Sequence, residues 1–125
     1  MSTVKIAFPT DGDQGLVENL SLHFGHAQTY TVVTWDSDGE AVTAVDIIQN
    51  YGHEEGGCMS SVMLLKNSGA DAVVLGGIGM RPLMGFRQVG VTPYSGFAGT
   101  VKENLDAYLE SKLQEMTVAS CQHHT

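Results

Sequence analysis

The first half of the chain alternates hydrophobic and polar positions in the manner of β-strands. Residues 4–8 alternate weakly and stop at the turn-forming residues 9–12, which predicts a first strand followed by a loop. Residues 29–35 and 41–48 are rich in β-branched and aromatic side chains, and the turn signal Asp-Ser-Asp-Gly lies between them at 36–39. These two runs are therefore predicted to form an antiparallel hairpin.

The second half alternates between helical and strand patterns. Apolar positions within residues 59–66 repeat with the helical period, whereas residues 72–75 are continuously apolar, as in a strand buried on both faces. A short helix with Pro82 near its first turn and Gly90 after its end is predicted next, and residues 91–94 form another short strand. Strands that alternate with helices in this way favour parallel crossovers.

The last predicted helix has a clear start. Thr100 and Glu103 have the spacing of a capping box, and apolar positions from Val101 to Leu113 follow the helical period. The element order is thus strand, strand, strand, helix, strand, helix, strand, helix. This order predicts an α/β fold with one five-stranded mixed sheet and helices on its faces.

The composition suits one cytoplasmic domain. With 125 residues, 42% of them hydrophobic, the chain can build one core but not two. We expect this domain at residues 1–115 and a flexible tail at 116–125. The chain start lacks a secretory signal and no run is long enough to span a bilayer, so we expect no membrane partner. The two cysteines, Cys58 and Cys121, are then expected to stay reduced.

The charge balance argues against nucleic-acid binding. The formal net charge is −8, and the six Lys and Arg residues are scattered along the chain. Binding to a polyanion normally requires clustered cations that release counterions.

Three loop segments carry the candidate chemistry: residues 21–26, 52–59 and 76–81. Each follows or precedes a predicted strand, and ligands in open α/β sheets bind at such strand ends. His23, His26, His53 and Cys58 offer imidazole and thiolate ligands for soft or borderline metals. For any one histidine the alternative is a surface or capping role, and for Cys58 it is a small buried hydrophobe. The predicted helix start beside Cys58 favours thiolate over thiol.

The glycine-rich segment is a candidate for binding an anionic group. Gly77 and Gly79 let the backbone approach a ligand closely, and Arg81 with a helix start supplies positive potential. The segment is not a dinucleotide fingerprint, because Pro82 stands where a third glycine is needed, and it lacks the Lys-Ser/Thr pair of a phosphate loop. A packing role for the glycines is equally open.

Catalytic groups are scarce in the sequence. Asp11, Asp36, Asp46 and Asp71 are candidates for a two-metal nuclease site, but two of them border predicted turns or strand starts, where solvated carboxylates are common. No serine lies in a nucleophile-elbow setting. We therefore expect that the protein is not an enzyme.

Five short motifs in register suggest a family. They occupy residues 6–12, 23–25, 56–58, 72–79 and 99–103, and with them the chain resembles the dinitrogenase iron-molybdenum cofactor biosynthesis family over about residues 4–113. The resemblance implies a ribonuclease H-like fold without nuclease activity. At 125 residues, the chain is expected to be a stand-alone member.

The resemblance also implies a cargo and partners. It implies that the protein binds or carries the iron-molybdenum cofactor, its precursor or a molybdenum-copper sulfide cluster, together with a protein donor or acceptor. The family's histidine corresponds to His23 and its glycine-flanked cysteine to Cys58, whereas His26 stands where many members have another residue. A metal-free adaptor that binds a protein through the same loops is the alternative. The tail from Cys121 to His124 is a further possible soft-metal site.

Overall fold

The computed structural model describes residues 2–24, 27–50 and 57–117, with residues 57–60 described by their helical backbone alone. The elements in chain order are β1 Thr3–Thr10, a 3-10 turn Gly15–Val17, β2 Thr29–Asp36, β3 Ala41–Gln49, α1 Gly57–Asn67, β4 Ala72–Leu75, α2 Met80–Val89, β5 Thr92–Ser95, α3 Val101–Leu109 and β6 Gln114–Glu115. The predicted strand and helix order is confirmed from β1 to α3.

The strands of the described residues form one mixed sheet in the order β3-β2-β1-β4-β5-β6. The hairpin is antiparallel, and β2 continues antiparallel to β1. Strands β4 and β5 run parallel to β1, each reached through a helix. The predicted mixed sheet and its crossovers are confirmed.

The expectation of five strands is wrong, because a sixth strand covers the outer side of β5. Gln114 and Glu115 pair antiparallel with Ser95 and Tyr94, and the Met116 N–H donates to the Pro93 carbonyl at 2.9 Å. Gln114 and Glu115 are both polar and exposed and show no strand pattern in the sequence, so their pairing depends on the unpaired edge of β5.

The predicted continuation of α3 to Leu113 is also wrong, because the helix ends at Leu109.

The first strand is longer than its sequence pattern predicts. Pro9 and Thr10 continue the pairing with β2 instead of ending the strand. Proline lacks only the N–H, and the Pro9 carbonyl accepts from the Ser21 N–H at 2.7 Å. The Thr10 hydroxyl is buried and lies 2.6 Å from that of Thr29.

The predicted start of α3 and the predicted end of α2 are confirmed. The Glu103 N–H donates to the Thr100 hydroxyl at 3.1 Å, and the Thr100 N–H donates to the Glu103 carboxylate at 2.8 Å. Helix α2 ends at Gly90, whose φ of 84° lies in the left-handed region that glycine adopts without strain.

The sheet is covered on both faces, as expected. Helices α1 and α2 pack on one face through side chains that include Val62, Leu65, Leu83 and Phe86. Helix α3 packs on the other face through Val101 and Leu105. Met116 is buried in the first of these cores. Among the described residues, no helix is long and apolar enough to cross a membrane.

Candidate functional site

The strands that border the candidate segments end along one edge of the sheet. Strands β1, β4 and β5 are parallel, so their carboxyl ends share that edge. The register Thr10–Thr29–Gln49 places the start of β2 and the end of β3 there as well. Loops after β1, β3 and β4 therefore leave the sheet side by side, the position at which open α/β sheets bind ligands.

The loop that carries His23 is anchored by its neighbours. Phe24 is buried, with its ring centroid 5.3 Å from that of Phe86 and 5.8 Å from that of Tyr30. The Ser21 hydroxyl bridges the backbone, accepting from the His23 N–H at 3.3 Å and donating to the His23 carbonyl at 3.1 Å. His23 itself is exposed at the surface. A fixed backbone thus presents this imidazole at the sheet edge.

The glycine segment after β4 packs directly on the His23 loop. A Cβ atom at Gly76 would lie 2.9 Å from the Leu22 Cα atom, and one at Gly77 would lie 2.7 Å from the Leu22 carbonyl oxygen. The Phe24 N–H donates to the Gly77 carbonyl at 3.1 Å. The absence of side chains at both glycines is therefore required by loop packing. The predicted contact of Gly77 with a cofactor stays a prediction.

Gly79 and Arg81 lie at the start of α2, where the sequence placed them. Gly79 is the N-cap residue, and a Cβ atom there would have 3.9 Å to its nearest neighbour, Pro82. Arg81 is exposed and lines a groove of about 440 Å³ together with Met80, Met84, Gly85 and Gln88. Its guanidinium makes no ion pair within the part of the chain that the structure describes. The groove is apolar apart from this cation and Gln88.

The remaining predicted ligands are described in part or not at all. Cys58 is the second residue of α1, so its backbone lies within the first turn of that helix, which begins slightly earlier than the predicted start beside Cys58. His26 and His53 lie outside the described residues, as does the tail from Cys121 to His124. No group of three or more His, Cys, Asp and Glu side chains comes together among the side chains that the structure describes.

The aspartates considered for a nuclease site do not converge. Asp36 is opposite Thr3 at the start of β1, and the Asp71 carboxylate accepts from the Lys5 N–H at 2.9 Å near the same end. Asp11 follows the far end of β1, roughly 25 Å away at 3.3 Å per residue. Asp46 lies on the outer strand β3. The four carboxylates therefore cannot form one two-metal site together.

Two buried polar residues hold the site segments in place, and the sequence alone did not identify them as site residues. They are Ser21, described above, and Asn50, which follows β3 and contacts both Ala27 and Ser61. A polar residue beside a strand end is normally a solvated turn residue, so its burial has no local signal. The threonines at the end of β1 and the start of β2, Thr10 and Thr29, could have suggested a layer of polar side chains at this edge.

A family comparison identifies the class of protein. The profile of the family described as "Dinitrogenase iron-molybdenum cofactor" matches residues 2–111, so the chain belongs to this family. The resemblance seen in the five motifs is confirmed.

Individual relatives share the chain's extent and fold. An uncharacterised protein of Methanocaldococcus jannaschii is 29% identical over 114 residues, which are 90% of this chain and 91% of that protein. A proposed NifB protein of Thermotoga has a TM-score of 0.71 at 24% identity, with 90% of this chain and 92% of that chain covered. The apo form of the orange protein from Desulfovibrio gigas has a TM-score of 0.72 at 18% identity, with the same two shares covered. These structural likenesses show the common fold.

Proposed function

We propose that the protein binds a molybdenum-containing metal-sulfur cluster and carries it between a protein donor and a protein acceptor, or assists its assembly. The cargo is the iron-molybdenum cofactor, its precursor or a molybdenum-copper sulfide cluster. The protein acts in the cytoplasm, as a carrier and not as an enzyme, and binds neither nucleic acid nor membrane. Membership of the dinitrogenase iron-molybdenum cofactor family supports this choice of cargo.

One structural observation carries the proposal: the His23 loop and the glycine segment are locked together at the sheet edge beside the start of α1. The Phe24–Gly77 hydrogen bond and the Leu22 packing fix the first two segments. Asn50 links the same loop to α1, the helix whose first turn contains Cys58. An imidazole and a thiolate on adjoining segments are ligands that suit soft metals.

The charges support an anionic cargo over a bare cation. Metal-sulfur clusters are often anionic, and the protein as a whole has a formal net charge of −8. The site edge nevertheless contains Arg81 and the first N–H groups of α2, which together provide local positive potential. In the proposal His23, His53 and Cys58 contact the cargo, His26 has a secondary role, and the Gly77–Gly79 backbone and Arg81 lie against it.

Anaerobic reconstitution tests the proposal. Purified protein is incubated with tetrathiomolybdate plus iron or copper, and uptake is followed by visible absorption and by metal analysis after gel filtration. We expect stoichiometric uptake by the wild type and a drop of about ten-fold or more in affinity for His23→Ala and Cys58→Ser, because each removes a direct ligand.

Cys121→Ser is the matched control, since it removes the chain's other thiol from the tail. It should take up metal like the wild type. A loss of uptake in Cys121→Ser with none in Cys58→Ser would instead assign the thiol ligand to the tail. No uptake by the wild type under any metal combination would overturn the carrier function.

The groove along α2 favours a second candidate, a metal-free adaptor that binds a protein partner. Met80 and Met84 are 39% and 43% exposed, and flexible methionines are common at binding surfaces. An adaptor would bind its partner equally well with or without metal. Met84→Asp would then abolish partner binding. The His23→Ala variant would bind the partner with the same affinity whether or not metal is present.

A further inference from the structure

We infer that Asn50 is a positioning residue that sets the separation between the His23 loop and the Cys58 end of α1. The inference rests on the proposed function, because its consequence is the affinity for a cargo held between these segments. Asn50 is 7% exposed and immediately follows β3, at the edge where the site lies.

Within the described part of the chain, three hydrogen bonds connect Asn50 to the two sides of the site. Its side-chain amide donates to the Ala27 carbonyl at 2.8 Å, and its backbone N–H donates to the Gln28 carbonyl at 3.1 Å. Both acceptors lie at the end of the loop that carries His23. On the other side, the Ser61 hydroxyl donates to the Asn50 side-chain oxygen at 3.4 Å.

The position of Ser61 makes this link relevant to Cys58. Ser61 is three residues after Cys58, one turn further along α1, and its side chain is 2% exposed. A helix is stiff over one turn, so a constraint on Ser61 is also a constraint on the backbone of Cys58. Asn50 thereby joins the two segments through one side chain, with its donor toward the loop and its acceptor toward the helix.

Burial makes the loss of these hydrogen bonds costly. Ala27 and Ser61 are both 2% exposed, so a partner lost from Asn50 leaves their polar groups without water to replace it. The segments would then have to shift to recover hydrogen bonds. Ligand positions in metal sites depend on such outer contacts, whose removal typically lowers affinity about 10–100-fold.

The test compares Asn50→Ala and Ser61→Ala with a matched control, Asn104→Ala. Asn104 is also a buried asparagine; it lies in α3, which packs on the opposite face of the sheet, and its amide donates to the Phe97 and Thr100 carbonyls at 3.0 Å. Both asparagine variants should be destabilised. Ser61→Ala removes a single hydroxyl and should stay folded even if Asn50→Ala does not.

Two readouts are measured. The first is the affinity for tetrathiomolybdate with the metal that the wild type takes up, expected to fall about 10-fold or more in Asn50→Ala and Ser61→Ala but not in Asn104→Ala. The second needs no metal and follows the backbone amide chemical shifts of residues 22–24 and 57–59. Both groups of shifts should change in Asn50→Ala and in Ser61→Ala. Neither group should change in Asn104→Ala.

The outcomes separate this inference from the proposed function. If the wild type binds metal and folded Ser61→Ala binds it equally, the positioning role is overturned and the carrier function stands. If the wild type binds no metal, the carrier function fails, and the amide shifts alone decide whether Asn50 couples the two segments. Shifts confined to Asn50's own neighbours would overturn the coupling.

Discussion

A methyl group at position 77 would have no room, because its carbon would lie 2.7 Å from the Leu22 carbonyl oxygen. Backbone atoms cannot rotate away as a side chain can, so Leu22 and the adjoining His23 must move. We expect Gly77→Ala to lower the free energy of unfolding by about 1–3 kcal/mol, the range for overpacking a filled site. Urea denaturation with a constant m-value would measure this loss.

Gly79→Ala is the control for this substitution. A Cβ atom there has 3.9 Å to Pro82, and the φ of −77° suits any residue. The small cost of alanine at an N-cap and the gain from a less flexible unfolded chain roughly cancel, so the change should stay within about 0.5 kcal/mol. Equal effects of the two substitutions would contradict a packing role specific to Gly77.

At the scale of elements, an aromatic contact joins α3 to β5. The rings of Tyr94 and Tyr108 meet edge to face, with centroids 5.1 Å apart. Burial raises the pKa of Tyr108 above its ordinary value of 10.0, and Tyr94 and Asp71 add smaller effects in the same direction. The folded protein therefore holds this proton more tightly than the unfolded chain does.

This difference predicts a loss of stability in strong alkali. Below pH 10 both states keep the proton and the contribution is fully present, whereas above it the unfolded chain ionises first and stability falls. Tyr108→Phe cannot ionise, so its stability should decline less than that of the wild type between about pH 8 and about pH 11. Urea unfolding at both pH values provides the comparison, and parallel declines would refute the assignment.

Elements were predictable wherever their signals are local. The apolar run at β4, the capping box of Thr100 and the C-cap at Gly90 depend on a few neighbouring residues, and all three match the structure. Strand β6 was not predictable, because Gln114 and Glu115 become a strand only beside β5. A local sequence pattern cannot predict pairing with a strand that only the folded chain brings alongside.

The same distinction applies to the candidate site. Residue types singled out His23, Cys58 and Arg81, since imidazole, thiol and guanidinium groups are uncommon and chemically distinctive. The contacts that position them involve Leu22, which is an ordinary apolar residue, and Asn50, which resembles a turn residue in the sequence. Their roles arise from segments that meet only in three dimensions.

At the scale of the whole molecule, the two edge strands of the sheet differ in length. The outermost strand beside β5 is the two-residue β6, whereas β3 at the other side is nine residues long. Asp46 is the one charged residue within β3, and it is exposed. Long outer strands pair with other chains unless a charge, proline or bulge prevents it. Asp46 and the irregularity opposite Thr34 therefore protect this side.

Asp46→Val should remove that protection. The substitution leaves an uninterrupted apolar run from Ala44 to Ile48, the kind of segment that associates edge to edge. We expect concentration-dependent association in sedimentation velocity, while Asp46→Lys, which keeps a charge at the position, sediments as the wild type does. A monomeric Asp46→Val at every concentration tested would show that the bulge suffices.

The hydrogen bond from Phe24 to Gly77 has a consequence for the order of events in the cell. During synthesis residue 24 leaves the ribosome long before residue 77, so the His23 loop must wait for β4 and its following turn before it can settle. A nascent or truncated chain would thus be unable to capture cargo. Under the proposed function, a metal-sulfur cluster would be accepted only by molecules that have finished folding, and its binding would in turn hold them folded.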